Sequence, residues 1–360
     1  MSPTLSSASL DGTDLRRDIP VPESHRTEGY EAAFDATTLW YDAIAGPDRT
    51  WLVCPKLLNF EDLLRGVMMR IDGQAAPVLR IRSYRRHDVV ELEGTGSELA
   101  LEAGDHGFTC PISPLETDRF AGLNAHVAIS KDNDLVWLAD FARFHIQHHG
   151  LEAMLLFDNG STATSIEEIE TTLRATGLRE VLVVPAPFPY GPRGTPPYAR
   201  RTKFLQTALL NIARLRFLGQ ARAVLQCDID ELVWSEGGSI FDRAAESRLG
   251  LVRFKGLWHS PPQDSEGPYR HQDHIRQRAK DPGSPTKYAL RPDSLLGRQS
   301  WDIHDIEGLP TPLSVTPRAG YLHCRGISTD WKGNNRTRPS VSVPSPKAER
   351  LLAGTDWEAP

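Results

Sequence analysis

Four short apolar runs alternate with three helix-like stretches over residues 125–225, and this alternation restricts the fold more than any other feature of the chain. Residues 125–129 read as a first strand, and the turn 130–134 supplies an N-cap for a helix running to about His149. Leu138, Phe141, Ala142 and His145 lie on one stripe of that helix, and Gly150 is its stop. Residues 153–157 form a second run, which ends in Asp158-Asn159-Gly160-Ser161. Ser165 with Glu168 is a capping-box pair for a helix that stops at Gly177. A third run at 181–184 is followed by a proline-rich loop over 185–197. A long amphipathic helix carrying Leu205, Ala208, Leu209, Ile212 and Leu215 then leads to the fourth run at 223–225. Strand and helix in this order predict an α/β fold with a doubly wound half-sheet.

The fourth run ends abruptly in Asp228, Asp230 and Glu231, three carboxylates within four residues. Ligands of open α/β sheets sit in the crevice at the carboxyl ends of the strands, where Asp228 and Asp230 would emerge. Hard oxygen ligands crowded at such a point suit Mg²⁺ or Mn²⁺ better than zinc. An Asp-x-Asp alone is equally compatible with a solvated turn. The strand before it and the order of elements upstream favour the ion.

With 360 residues the chain has room for one large domain and a smaller one. Residues 1–28, rich in Ser, Asp, Pro and Thr and without an apolar run, read as a disordered leader rather than a signal peptide. Residues 29–123 read as a small β-rich accessory domain, with strand-favouring runs at 50–54, 66–71, 78–83 and 88–93. That region holds no cluster of acids, His or Cys, so a structural or acceptor-docking role is expected. Residues 124–338 form the main α/β domain, and 339–360, rich in Pro and Ser, a flexible tail. After Trp234 a helix from near Ser239 and strands at 251–254 and 287–292 are expected. His271 and His274 fall in a polar stretch read as an exposed acceptor loop, and His304 and His323 in loop-like surroundings.

A net charge of −6 without any basic block argues against nucleic acid as a partner. The cysteines Cys54, Cys110, Cys227 and Cys324 are scattered singly, which suits a reducing compartment and no disulfide framework. No stretch approaches the length of a membrane span. A cytoplasmic location, at most peripheral to an inner membrane, is expected.

Lys131, His145, Gly150, Phe157-Asp158-Asn159-Gly160-Ser161, Asp228-Ile-Asp230-Glu231, Lys287, Arg291-Pro292, His323 and Ser328 follow one another in an order with a known parallel. The pattern resembles the bacterial glycosyltransferases of the GT-A fold, in the group related to families 2 and 92. In that group a Lys-Asn-Glu turn follows the first strand and an Asp-Asn-x-Ser-x-Asp turn the second. The metal motif reads Asp-x-Asp-Glu, and a His-Tyr dipeptide lies near the C-terminus. The likeness covers about residues 125–336. Asp132-Asn133 stands here for Asn-Glu, Ala163 for the last Asp of the second turn, and Cys324 for the Tyr.

The resemblance implies a GT-A type, Rossmann-like nucleotide-sugar-binding sheet behind the small N-terminal β-domain. It implies metal-dependent transfer of a sugar from a UDP- or GDP-linked donor to a saccharide, glycan or other hydroxyl acceptor, as in polysaccharide biosynthesis. Mn²⁺ or Mg²⁺ would be held by Asp228 and Asp230, with His323, or alternatively His304, as a further ligand. Lys131, Asp158, Asn159 and Asp228 would bind the donor, and Asp264 or Glu266 would supply the base for the acceptor proton. Two other functions stay open on the residues alone. A metal-dependent phosphohydrolase also places Asp-x-Asp after a strand, although Leu232 stands where Thr or Val is usual there. A non-catalytic carbohydrate-binding relative is the other. His145, His148 and His149 do not form a zinc-protease motif, because Ile146 takes the place of its Glu.

Overall fold

A computed structural model describes residues 3–103, 106–309, 315–329 and 341–358. The chain divides into two compact units, Met1–Thr117 with Ala186–Gly219, and Asp118–Pro185 with Gln220–Pro360.

The first unit is built on two four-stranded antiparallel sheets. One is ordered His106–Pro111, Glu98–Ala103, Met68–Ile71, Gln74–Ala75, and the other Asp42–Ala45, Arg49–Pro55, His87–Glu93, Val78–Ser83. Asp72 and Gly73, with φ of 47° and 79°, make the tight reversal between Met68–Ile71 and Gln74–Ala75. The N-terminal residues correct the expectation of a disordered leader. Ala8–Ser9 pairs with Thr38–Trp40, and Ala8, Leu10 and Val21 are buried. Arg17, also buried, donates to the carbonyl oxygens of Asp35 and Thr38. A few apolar residues spaced among polar ones suffice when a strand is available to receive them, and average composition hides them.

The helix Leu205–Ile212 also departs from expectation. It belongs to the first unit, where it packs on Arg49–Pro55 and His87–Glu93. All of its residues are buried, including Gln206, Thr207 and Asn211, so it is a core helix rather than one covering a sheet face.

In the second unit the elements are β1 (Asn124–Ser130), α1 (Leu135–His149), β2 (Ala153–Asp158), α2 (Ile166–Arg174), β3 (Glu180–Pro185), β4 (Ala223–Gln226), β5 (Glu231–Ser235), α3 (Ile240–Glu246), β6 (Leu251–Ser260), β7 (Arg276–Arg278), β8 (Lys287–Leu290), β9 (Val315–Cys324), β10 (Ser342–Pro344) and α4 (Pro346–Ala353). One mixed ten-stranded sheet runs β3-β2-β1-β4-β8-β6-β7-β10, with β9 paired to β5 and β6. β1 to β4 are mutually parallel, and β8 is antiparallel to β4 and β6. Local signals set the early elements. Asp134 caps α1 by accepting from Val136 N, Gly150 ends it at φ 66°, and Ser165 and Glu168 close a complete capping box on α2. The chain winds outward from β1 through β2 to β3, then returns to the other side of β1 for β4. The direction of winding therefore reverses between β1 and β4, and the crevice at their carboxyl ends is the topological switch point.

β6 outruns the expected 251–254 because it changes partners along its length. Leu251–Phe254 pairs with β8, and the residues from Lys255 to His259 pair with β9. Gly256 permits the change: a Cβ there would fall 2.3 Å from the Tyr321 ring. His323 lies within β9 rather than a loop, in a run from Ala319 to Cys324 that is buried throughout. The chain from 341 to 358 is likewise no flexible tail. β10 pairs with β7, Ser345 caps α4 with Pro346 in its first turn, and Ala348, Leu352 and Trp357 join the core. No helix among the described residues is long and apolar enough to cross a membrane.

Candidate functional site

The turn from Cys227 to Asp230 links β4 to β5 at the switch point. It closes on itself: Asp228 N donates to Glu231 Oε2 at 2.8 Å, and Glu231 N to the Asp228 carbonyl at 3.1 Å. His126 of β1 anchors its start, with Nε2–H donating to the Cys227 carbonyl at 2.9 Å. Burial pulls that imidazole down to about 4, which keeps it neutral at physiological pH. β5 then runs antiparallel to β9 with Glu231 opposite His323, and Cys324 N donates to the Asp230 carbonyl at 2.7 Å.

This register gathers Asp230, Glu231 and His323, each almost wholly buried, with one donor atom of each lying within 4.8 Å of the others. That span is about twice a metal–oxygen bond of ~2.0–2.6 Å. His323 Nε2 is 3.1 Å from Asp230 Oδ2, and its Nδ1 is 3.0 Å from Ser284 Oγ. Trp258 stacks on the imidazole with ring centroids 3.7 Å apart and planes 16° from parallel, fixing its tilt.

Lys287, at the start of β8, completes the electrostatics. Its Nζ lies 2.7 Å from Asp228 Oδ2 and 3.2 Å from Glu231 Oε2. Burial opposes the ammonium charge, but Asp228 and then Glu231 outweigh burial and hold Lys287 above the ordinary lysine range. Burial pushes the Glu231 carboxyl up, with Lys287 working against it. Three carboxylates against one ammonium leave an excess of negative charge in a nearly dry cluster, a state that proteins compensate with a bound cation or a proton. Two carboxylates and an imidazole whose far nitrogen meets a hydroxyl are a donor set that could hold a divalent metal ion. The donor set and the charge balance both fit.

Asp228, expected as a metal ligand and donor contact, is partnered by Lys287 and stands beside this three-residue set. His323 is in the set. His304 is not: its Nδ1 is 3.2 Å from the Thr286 carbonyl, and its own carbonyl accepts from Thr286 Oγ1. Asp158 and Asn159 lie at the end of β2, in register with the end of β1 that precedes Lys131. The Asp158 carboxylate is engaged within its own turn, accepting from Gly160 N, Ser161 N and Ser161 Oγ. Asp132, at φ 50°, receives Ser161 Oγ on its N–H and offers its carboxylate to Thr162 N and Ala163 N. It thereby stitches the turns after β1 and β2 together. Lys131 carries a carbonyl that accepts from Thr329 Oγ1. Lys332, which comes four residues after Ser328 of the matching order, lies outside the described residues.

Asp264 and Glu266 are exposed on the turn after β6 and are not members of the ion set. His271 and His274 are buried, not part of an exposed loop, because each has a backbone carbonyl to satisfy. The α1 histidines are structural. His145 Nε2 accepts from Val233 N, and His149 Nε2–H donates to Val233 O at 2.8 Å, tying α1 to β5. Sequence reasoning assigned no role to Lys287, Ser284 or Trp258. Besides its place in the matching order, Lys287 opens the short apolar run Lys287-Tyr-Ala-Leu290, and a charge in such a place needs buried partners. No protein-family model matches the chain, and no curated protein matches it.

Proposed function

We propose that the protein is a metal-dependent glycosyltransferase that moves a sugar from a nucleotide-sugar to a hydroxyl acceptor. One observation carries the reading: the buried Asp230, Glu231 and His323 set stands beside the switch point between the parallel strands β1 and β4 of the mixed sheet. In this reading those three residues hold Mn²⁺ or Mg²⁺, and the ion supplies Lewis-acid stabilisation of the charge that develops on the departing nucleoside diphosphate. Ser284 and Trp258 keep the His323 imidazole aimed at Asp230. Lys287 neutralises Asp228 and locks the turn that presents Asp230. Lys131 and Asn159, at the ends of β1 and β2, are assigned to the donor. Asp158 and Asp132 shape the loops that carry them.

The test is thermal melting against a panel of nucleotide-sugars with and without Mn²⁺, followed by mass spectrometry of the products. One donor should raise the melting temperature only when Mn²⁺ is present, because a ligand that binds the native state alone shifts unfolding. No response to any donor, with or without the ion, would sink the proposal. Release of inorganic phosphate without sugar transfer would favour a phosphohydrolase instead.

A further inference from the structure

We infer that His271 and His274 are positioning residues that brace the two halves of the ion site against each other, an inference that rests on the metal reading above. The two acids and the histidine come from different places in the chain. Asp230 and Glu231 follow β4, whereas His323 is on β9. The short turn His271–Asp273, with His274 behind it, touches both. His271 Nε2–H donates at 2.8 Å to the carbonyl of Ile229, the residue between Asp228 and Asp230. His274 Nε2–H donates to the carbonyl of Arg325, two residues past His323. Both imidazoles are fully buried.

The brace is itself anchored. Arg270 grips Asp140 of α1 through Nε at 3.1 Å and Nη2 at 2.5 Å, and Asp140 is also fully buried. His271 Nδ1 faces the same carboxylate at 3.8 Å. Four polar side chains, three of them fully buried, are thus committed to two carbonyls, one on each half of the site. Burying polar groups is costly unless they make bonds that the fold needs. Here those bonds fix where the acids stand relative to the imidazole. A small cation that tolerates little distortion reads that separation as affinity.

Isothermal titration of the full-length protein with MnCl₂ tests this, alongside melting of each variant in EDTA. His271→Leu and His274→Leu should bind Mn²⁺ about 10–100-fold more weakly than wild type. His271→Gln, which keeps an N–H near the Nε2 position, should recover most of that loss. Folded Leu variants that bind Mn²⁺ as wild type does would overturn the brace. If the Leu variants do not fold, the near-isosteric Asp140→Asn decides: it loosens the Arg270 anchor and should weaken Mn²⁺ about tenfold, and unchanged affinity would overturn the inference. A wild type that takes up no Mn²⁺ refutes the metal reading itself, and the brace with it. Wild-type binding with unaffected variants refutes the brace alone.

Discussion

Glu231 and His323 face each other across the β5–β9 pair, so strand register, not loop geometry, sets the distance between carboxylate and imidazole. Register is stiff where strands are buried, because a one-residue slip would turn every side chain to the opposite face. β5 and the end of β9 are largely buried, so the spacing of carboxylate and imidazole is held fixed, as the proposed ion site requires.

Asp230→Asn and His323→Ala should each lower Mn²⁺ affinity at least about 100-fold, with sugar transfer falling in step. Asp228→Asn should leave Mn²⁺ affinity much closer to wild type, since its carboxylate is committed to Lys287. Titration calorimetry on the three variants decides the matter. Retained affinity in Asp230→Asn together with His323→Ala would remove both from the ion set.

Lys287→Met takes the one ammonium away from Asp228 and Glu231. Breaking a buried ion pair from one side costs roughly 3–5 kcal/mol, so the metal-free variant should melt well below wild type. Mn²⁺ should return more of the lost stability to the variant than it adds to wild type. Equal Mn²⁺ gains in the two proteins would mean that the ammonium and the ion do not share these carboxylates.

Stripping the wild type with EDTA should lower its melting temperature and abolish transfer, and Mn²⁺ or Mg²⁺ should restore both. At about a hundred times its dissociation constant the ion is worth roughly 2.7 kcal/mol. Full activity in a metal-free preparation contradicts this.

Acid should destabilise the fold through buried imidazoles. Burial pulls His126, His149 and His274 from 6.5 to about 4. Between these values the unfolded chain binds a proton at each site and the folded chain does not, so stability rises with pH across the window. Each histidine contributes up to about 1.4 kcal/mol per pH unit there. Urea unfolding at steps from pH 7 to pH 4.5 should show stability falling with acid, and a flat profile would rule out neutral buried imidazoles. Above pH 7 the three no longer contribute to the slope.

Much of the second unit was legible because its signals are local. The Asp134 cap, the Ser165–Glu168 box, Gly150 and the abrupt end of β4 all act within a few residues. The surroundings of His323 were harder to read. His323 has carboxylate neighbours only because β9 pairs with β5, and strands buried on both faces lack the alternation that marks a half-exposed strand. Residues 341–358 misled in another way. Ser345-Pro346 looks like linker composition, yet it is a cap followed by a first-turn proline, and the helix it starts buries Ala348 and Leu352. The bonds of His271 and His274 to Ile229 and Arg325 reach across long separations and leave no trace in composition or period.

The helix Leu205–Ile212 has a consequence for how the polypeptide is made. Its host unit takes Met1–Thr117 from one part of the chain and Ala186–Gly219 from another. Translation must pass β1, β2 and β3 before that helix leaves the ribosome, so the first unit cannot close until a segment of the second has already been made. For the same reason no single proteolytic cut or gene truncation separates the two units cleanly. A fragment stopping at Thr117 would leave Arg49–Pro55 and His87–Glu93 without the core helix that packs on them, open to chaperones and to aggregation.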